Sequence, residues 1–361
     1  MAPPPREKPW HAHLTLDLLI HVLNRSLLHP YIAWLIPLCL RAITTPYHAP
    51  EFISACVWAS FITLTAILGV VNKRIAYGLP REVDWEEEVV VITGGAQGLG
   101  KILAEMYGMR GASVAVLDVV EPGRESEGLA GVKWYRCDVG DAGAVERVRR
   151  EVVKDLGTPT ILINNAGIVN GKPLFDLTSA EVSRNFNINL LSHFHTIRTF
   201  LPDMLASETG GTIVTVASVL GKLGASHLSD YTAAKAGLIA MHSSLRAELS
   251  SSTAPEGSKG IRTILVTPGQ LSTSLFAGVE TPSSFFGPVV EPVELAREIV
   301  RMVDAGESGE ISTPFYARWI EWLHVLPVGA QRIVRRLVGV DKAMEGFGEK
   351  VTSNDCPEKH G

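Results

Sequence analysis

A chain of 361 residues has room for one large α/β domain with additions, or for two domains. A formal net charge of −5 and an isoelectric point near 6.1 give no sign of a nucleic-acid footprint, which would be a strongly basic face. The cysteines Cys39, Cys56, Cys137 and Cys356 lie far apart without metal-ligand spacing. They fit a reduced cytosolic environment better than a disulfide framework and give no reason to expect a metal.

Mean hydropathy of +0.18 is high for a soluble enzyme, and the apolar excess sits at the front of the chain. Residues Met1 to Trp10 are proline-rich and charged, a composition expected to be disordered. Leu14 to Ile43 is apolar but broken by Asp17, His21, Arg25, His29, Pro30 and Pro37, and its clean part, Pro30 to Leu40, is too short to span a bilayer. Phe52 to Val71 carries no charge and is flanked by Glu51 and by Lys73-Arg74. At ~1.5 Å rise per residue it reaches roughly 30 Å, one hydrocarbon thickness. A buried core helix would show the same composition. As an anchor it is either a single span or the second arm of a hairpin that turns at Thr44 to Pro50. Basic residues at both ends (Arg6 and Lys8; Lys73 and Arg74) are compatible with the hairpin. Either geometry puts the following domain in the cytosol. The expected divisions are an anchoring region 1–83, a globular domain 84–316 and an amphipathic extension 317–361.

The acidic stretch Asp84 to Glu88 marks the start of the globular domain. Val89 to Ile92, all β-branched, predict a buried parallel strand that runs into a glycine-rich turn and a helix from Gly98 to about Met109. In that context Gly94 permits the tight turn, Gly98 lets backbone approach a pyrophosphate, and Gly100 lets the helix pack on the strand. The helix N-terminus then faces the anion. Such a turn alone is common. Further strands are expected at Ala112 to Leu117, Trp134 to Val139, Thr160 to Ile163, Gly211 to Ala217, Ile261 to Thr267 and near Glu310 to Pro314. Helices are expected at Ala142 to Leu156, Ala180 to Leu201 and Tyr231 to Leu249. Strands alternating with helices imply an α/β fold with a parallel sheet covered on both faces.

Asp118 closes the second apolar run, 24 residues after Gly94. An acid there accepts hydrogen bonds from ribose hydroxyls and repels a 2′-phosphate, and no basic residue stands at Gln97 or Val119 to neutralise one. NAD is therefore expected over NADP, although a solvated strand-end acid is the plain alternative. Tyr231 and Lys235, four apart, share one helix face. An ammonium beside a phenol favours the phenolate, which makes Tyr231 a candidate general acid–base. Ser218, thirteen residues earlier, could bond the same substrate oxygen or simply form a turn.

The chain from about Asp84 to Tyr316 resembles the short-chain dehydrogenase/reductase family. The matching motifs are Thr93-Gly94-Gly95-Ala96-Gln97-Gly98-Leu99-Gly100, Asp138-Val139, Asn164-Asn165-Ala166-Gly167, Ser218, Tyr231-x-x-x-Lys235, and Pro268-Gly269 with Thr273. The resemblance implies a Rossmann-type doubly wound parallel sheet and a nicotinamide cofactor. It implies that Tyr231 exchanges a proton with the substrate oxygen, that Ser218 positions that oxygen, and that Lys235 holds the nicotinamide ribose. Asn189 matches the family's helix asparagine, which supports a water-mediated proton path; Asn187 is its neighbour and competitor. Asp138 and Val139 would sit at the adenine, Asn165, Ala166 and Gly167 by the adenosine ribose, and Pro268, Gly269 and Thr273 at the carboxamide. The glycine stretch, with Thr93, Gln97 and Leu99, would hold the pyrophosphate.

Within the family the chain is similar to the membrane-associated retinol and 17β-hydroxysteroid dehydrogenase-like branch. The features are the anchor, Asn189 to Phe194, Thr215 to Ser218 and the tail Gly339 to Met344. That branch implies residence at the endoplasmic reticulum or lipid-droplet membrane and is compatible with a homodimer. His193 and His195 are expected to be structural. Phe276, Val279, Phe285, Phe286, Val289 and Val290 make the segment Leu275 to Pro292 apolar and free of Lys and Arg, which suits a lipophilic alcohol or ketone and equally ordinary packing. The tail sets Trp319, Trp322, Ile333 and Leu337 beside Arg332, Arg335 and Arg336, a pattern of membrane contact, of a dimer face or of packing. A second class of function is a membrane- or lipid-droplet-anchored binding or scaffold protein on an inactive dehydrogenase fold. The complete Asn189, Ser218, Tyr231 and Lys235 set argues against it.

Overall fold

The computed structural model describes residues 14–121, 131–276 and 283–340. The expectations for Met1 to Trp10, Val279, Cys356 and Asp341 onward lie outside them. The chain divides into two compact units, residues 1–79 with 284–286, and residues 80–283 with 287–361.

The first unit holds α1 (Leu16–Arg25), α2 (Pro30–Ala42) and α3 (Pro50–Tyr77). Thr15 caps α1, its hydroxyl accepting the Leu18 N–H at 3.1 Å. Prolines open α2 and α3, where a missing N–H costs nothing. The two helices pack as a hairpin through Ala33, Ala59 and Ile62, and the Trp34 indole donates to the Thr63 hydroxyl at 2.9 Å. Among the described residues, α3 is the one helix long and apolar enough to cross a membrane. It is apolar all round, with Phe61, Leu64, Ile67 and Leu68 exposed.

The second unit is a seven-stranded parallel sheet. Its elements in order are β1 (Val89–Thr93), α4 (Gly98–Gly108), β2 (Ser113–Asp118), β3 (Val132–Arg136), α5 (Ala142–Leu156), β4 (Ile161–Asn164), α6 (Ser179–Phe186), α7 (Ser192–Ala206), β5 (Gly211–Val216), α8 (Ser229–Leu249), β6 (Ile261–Pro268), α9 (Pro292–Asp304), β7 (Gly309–Thr313), α10 (Tyr316–Trp319) and α11 (Val328–Val338). The strand order is 3-2-1-4-5-6-7. Both faces of β1 are buried, which is why the strand reads as a continuous β-branched run. Val90, Ile92 and Val114 pack with Leu103 of α4 and Ile299 of α9 on one side. Val89, Val91 and Leu162 pack with Val148 of α5 and Phe200 of α7 on the other. The order reverses between β1 and β4, so their carboxyl ends flank a crevice.

At the opposite end of the strands, Arg81 grips Glu88 with two hydrogen bonds of 2.8 and 2.9 Å and donates to Thr212 at 2.9 Å. The Thr160 hydroxyl donates to the same carboxylate. Arg81 and Glu88 are both buried.

Two expected elements differ. The strand placed at Trp134 to Val139 is Val132–Arg136, because after the Cys137 N–H bonds the Asp118 carbonyl the chain turns at Asp138, whose carboxylate takes the Gly140 N–H at 2.9 Å. The helix expected as one piece from Ala180 to Leu201 is α6 and α7 joined by a π turn, Asn187–Leu191. One extra residue in that turn rotates the following side chains relative to a regular helix.

Candidate active site

The crevice is built first from the turn after β1. Gly94 and Gly98 have φ of +65° and +56°, the left-handed region. A Cβ on Gly94 would lie 2.8 Å from the Ala166 Cα, and one on Gly100 would lie 2.3 Å from the Gly94 carbonyl oxygen. Gly98 is different: its Cβ would meet only Thr273, at 3.6 Å, so this glycine answers to backbone conformation and to the space before it. Gln97 enters α4 extended and gives no side-chain cap, so among the described residues the first-turn amides have no capping side chain. An open backbone approach, uncapped amides and a helix dipole fit a diphosphate.

The neighbouring strand ends fasten this turn. The Asp118 carboxylate accepts the Ala96 N–H at 3.0 Å and the Val120 N–H at 3.1 Å. The Thr93 hydroxyl accepts the N–H groups of Asn165 and Ala166 at 3.0 and 3.1 Å. The Asn165 amide donates to the carbonyls of Thr93 and Gly94 at 3.2 and 3.0 Å. Thr93 and Asn165 thus tie β4 to β1. A cleft of about 300 Å³ lies over them, lined by the sequence-chosen Gly94, Gln97, Gly98, Leu99, Asp118, Asp138, Val139, Asn165, Ala166, Gly167 and Thr273.

Thr93, Gly100, Pro268 and Gly269 are not among its lining residues. The first two are consumed in packing and fastening. The Gly269 N–H bonds the Thr313 carbonyl at 2.7 Å, and a Cβ there would meet Pro314 at 2.7 Å. Pro268 and Gly269 therefore carry the chain that brings Thr273 over Gly98. Arg184 and Ile188 also line the cleft and were missed. They stand four apart at the junction of α6 and the π turn, a junction that no local sequence signal announces.

The second group gathers around α8. Tyr231 and Lys235 are both buried. The Lys235 ammonium donates to the Val216 carbonyl at 2.9 Å and lies 5.7 Å from the centre of the Tyr231 ring. Burial pushes the phenol up to about 12, and the nearby Ser218 side chain draws it back. Burial pushes the amine down to about 8. Desolvation thus sets the direction at the phenol, and the opposing effect comes from the Ser218 hydrogen bond rather than from the ammonium. Ser218 follows β5 and its hydroxyl accepts the Leu220 N–H at 3.1 Å, capping a short turn.

Asn189 sits in the π turn, fully buried, whereas Asn187 is exposed. Its amide oxygen accepts the Ile168 N–H at 2.9 Å, and its NH2 donates to the Ile168 carbonyl and the Asn185 side chain, each at 2.8 Å. A Cβ on Gly167 would lie 3.0 Å from this amide oxygen and 3.8 Å from the Lys235 ammonium. Gly167 is where the cleft and the Tyr231 group meet. His193 is buried on α7, held neutral by desolvation.

Tyr231 has an apolar setting. Phe276 meets its ring edge-on at 5.8 Å, and Val169, Leu220, Ala225 and Leu228 complete the cluster. In the apolar segment expected to line a substrate site, Val290 pairs with Leu271 as a β-bridge, and Phe285 and Phe286 stack edge-on against each other. A phenol, a hydroxyl and an amine converging in apolar surroundings can pass a proton to or from a single oxygen.

A family model described as short chain dehydrogenase matches residues 88–283. An uncharacterized oxidoreductase of Saccharomyces cerevisiae is 31% identical over 314 residues, covering 84% of this chain and 92% of the relative. Epidermal retinol dehydrogenase 2 of Homo sapiens is 31% identical over 268 residues, covering 72% of this chain and 85% of its own. Among solved structures, the ligand-free aldohexose dehydrogenase of Thermoplasma acidophilum superposes with a TM-score of 0.52 at 22% identity, covering 62% of this chain and 91% of that one. The last is a likeness of fold.

Proposed function

The chain belongs to the short chain dehydrogenase family, and we propose that it interconverts a lipophilic alcohol and its ketone or aldehyde with Tyr231 as general acid–base. One observation carries the reading: the buried Tyr231 is flanked by Ser218 and Lys235 and walled by Phe276 and Leu228. An apolar wall at the reacting phenol favours a substrate with apolar surface next to its oxygen. The resemblance to retinol dehydrogenases points the same way.

In this reading the nicotinamide cofactor, when bound, supplies or accepts the hydride. The residues of the chain handle the rest. The turn from Gly94 to Gly98 and the first amides of α4 hold the diphosphate. Asp118 receives the adenosine ribose, which favours NAD over NADP because a second phosphate would meet a carboxylate. Asp138 and Val139 border the adenine, and Thr273 closes over the turn. The Tyr231 phenol, kept protonated by burial, donates to a carbonyl oxygen in the reducing direction. Ser218 donates a second hydrogen bond to that oxygen, and Lys235 reaches toward the ribose. Asn189 fixes the backbone of Ile168 beside them. The helix α3 anchors the protein in a membrane, where a lipophilic substrate is concentrated.

Replacement Tyr231→Phe tests the proposal. Turnover of retinoids, steroids and long-chain alcohols should be abolished, while dinucleotide affinity changes little. Full retained turnover refutes it. Turnover lost in the wild type across the whole panel, with dinucleotide still bound, would favour a binding protein instead.

A further inference from the structure

The helix α11, Val-Gly-Ala-Gln-Arg-Ile-Val-Arg-Arg-Leu-Val, carries three arginines and no acid in a chain whose net charge is −5. At about 100° per residue, Ala330, Ile333, Val334, Leu337 and Val338 fall on one arc, and Gln331, Arg332, Arg335 and Arg336 on the other. A helix on a soluble domain buries its apolar arc. This one leaves most of it open. Arg335 donates to the Gly224 carbonyl at 2.8 Å and Gln331 to the Leu326 carbonyl at 2.8 Å, so the polar edge holds the helix in place. Of the apolar arc, Ala330 and Val334 are half-buried against the domain, and Ile333, Leu337 and Val338 are exposed by 63, 80 and 50%. The preceding turn adds Trp322 and Val325, exposed by 66 and 77%.

We propose that α11 and the Trp319–Val325 turn form a docking surface for an anionic lipid bilayer, with Ile333 and Leu337 in the acyl region and Arg332 and Arg336 at the headgroups. The chemistry selects this occupant. An exposed apolar arc bordered by arginines and tryptophans matches the boundary between acyl chains and charged headgroups. The arginines add attraction to an anionic leaflet. Self-pairing is disfavoured, because an isologous contact would set Arg332 and Arg336 of one copy beside the same charges of another. The surface belongs to the catalytic unit and is distinct from α3, so it stands or falls independently of the proposed reaction.

The test uses the full chain reconstituted in vesicles, with an environment-sensitive fluorophore on Leu337→Cys in a background where Cys39, Cys56 and Cys356 are serine. In phosphatidylcholine containing phosphatidylserine, a lipid-borne quencher should act on the label about threefold or more strongly than in pure phosphatidylcholine. Arg332→Gln with Arg336→Gln should remove that difference, and Arg332→Lys with Arg336→Lys should retain most of it. Both pairs are exposed, and unchanged thermal unfolding checks their fold. Equal accessibility to aqueous iodide in both vesicle types, with no lipid quenching, overturns the proposal. So does a label shielded in detergent micelles in proportion to protein concentration, which would mean a second copy covers the face.

Discussion

Replacing Asn189 by leucine deletes three hydrogen bonds while nearly conserving volume. It leaves the Ile168 N–H, the Ile168 carbonyl and the Asn185 side-chain oxygen without their partner. An orphaned buried polar group costs about 1–3 kcal/mol. Ile168 is half-buried and water can reach it, so its two groups fall near the low end, whereas Asn185 is fully buried. The sum is about 3–5 kcal/mol, a large fraction of the roughly 5–15 kcal/mol that holds a domain together. The protein should fold with a lower urea midpoint. Because Asn189 lies against Gly167, where the cleft and Tyr231 meet, dinucleotide affinity should fall as well. Asn189→Asp should be destabilised at least as much, since a carboxylate keeps the Ile168 N–H but turns an oxygen toward two acceptors. Urea unfolding followed by tryptophan fluorescence, with dinucleotide titration alongside, measures both effects. An unchanged midpoint and affinity in Asn189→Leu, or a well-tolerated aspartate, would refute a role for this amide in holding the Gly167–Ile168 backbone.

Three further outcomes are expected. Lys235 has a folded pKa of about 8, below its ordinary 10.5, so burying its charge costs stability in full below pH 8 and progressively less as pH rises toward 10.5. Relative to wild type, Lys235→Met should therefore be more favourable at pH 6.5 than at pH 9.5 in thermal unfolding, and a pH-independent difference would contradict the buried charge. Arg81→Met leaves the Glu88 carboxylate buried without its cation, a loss of about 3–5 kcal/mol, most of which Arg81→Met with Glu88→Leu should restore. Denaturant midpoints decide it, and an undisturbed single variant would show the pair to be dispensable. Asp118→Ala should bring the NAD and NADP affinities closer together and, by freeing the Ala96 N–H, weaken both to some extent. A NADP affinity no closer to that of NAD than in the wild type would rule out Asp118 as the discriminating group.

Much of this molecule was legible because its signals are local. The β-branched run Val89 to Ile92, the glycines that follow it and the four-residue spacing of Tyr231 and Lys235 each act within one strand, one turn or one helical turn. Alternation of such elements implied the parallel sheet, and the end of β2 marked Asp118. The π turn was not legible, since Asn187 to Leu191 contains nothing that a regular helix would refuse. It takes the packing of α6 and α7 to turn Asn189 inward onto Ile168.

The same division holds in the site and on the surface. The family resemblance named Thr93 and Asn165 as cofactor residues, and the pairing of β1 with β4 shows that both also fasten the turn, with Asn165 lining the cleft and Thr93 behind it. Spacing alone put an ammonium near a phenol, yet burial, a property of everything packed around Tyr231, moves that phenol upward. The tail's sequence set aromatic and aliphatic residues beside a cluster of arginines, an amphipathic pattern with three possible uses. Only the tertiary structure decided that Arg335 is tied to Gly224, leaving Ile333 and Leu337 outward. Sequence determines what each segment can form, because helical and strand periods are intrinsic to the chain. Which face meets which neighbour is a property of contacts between residues distant in sequence, and it is set when the chain folds.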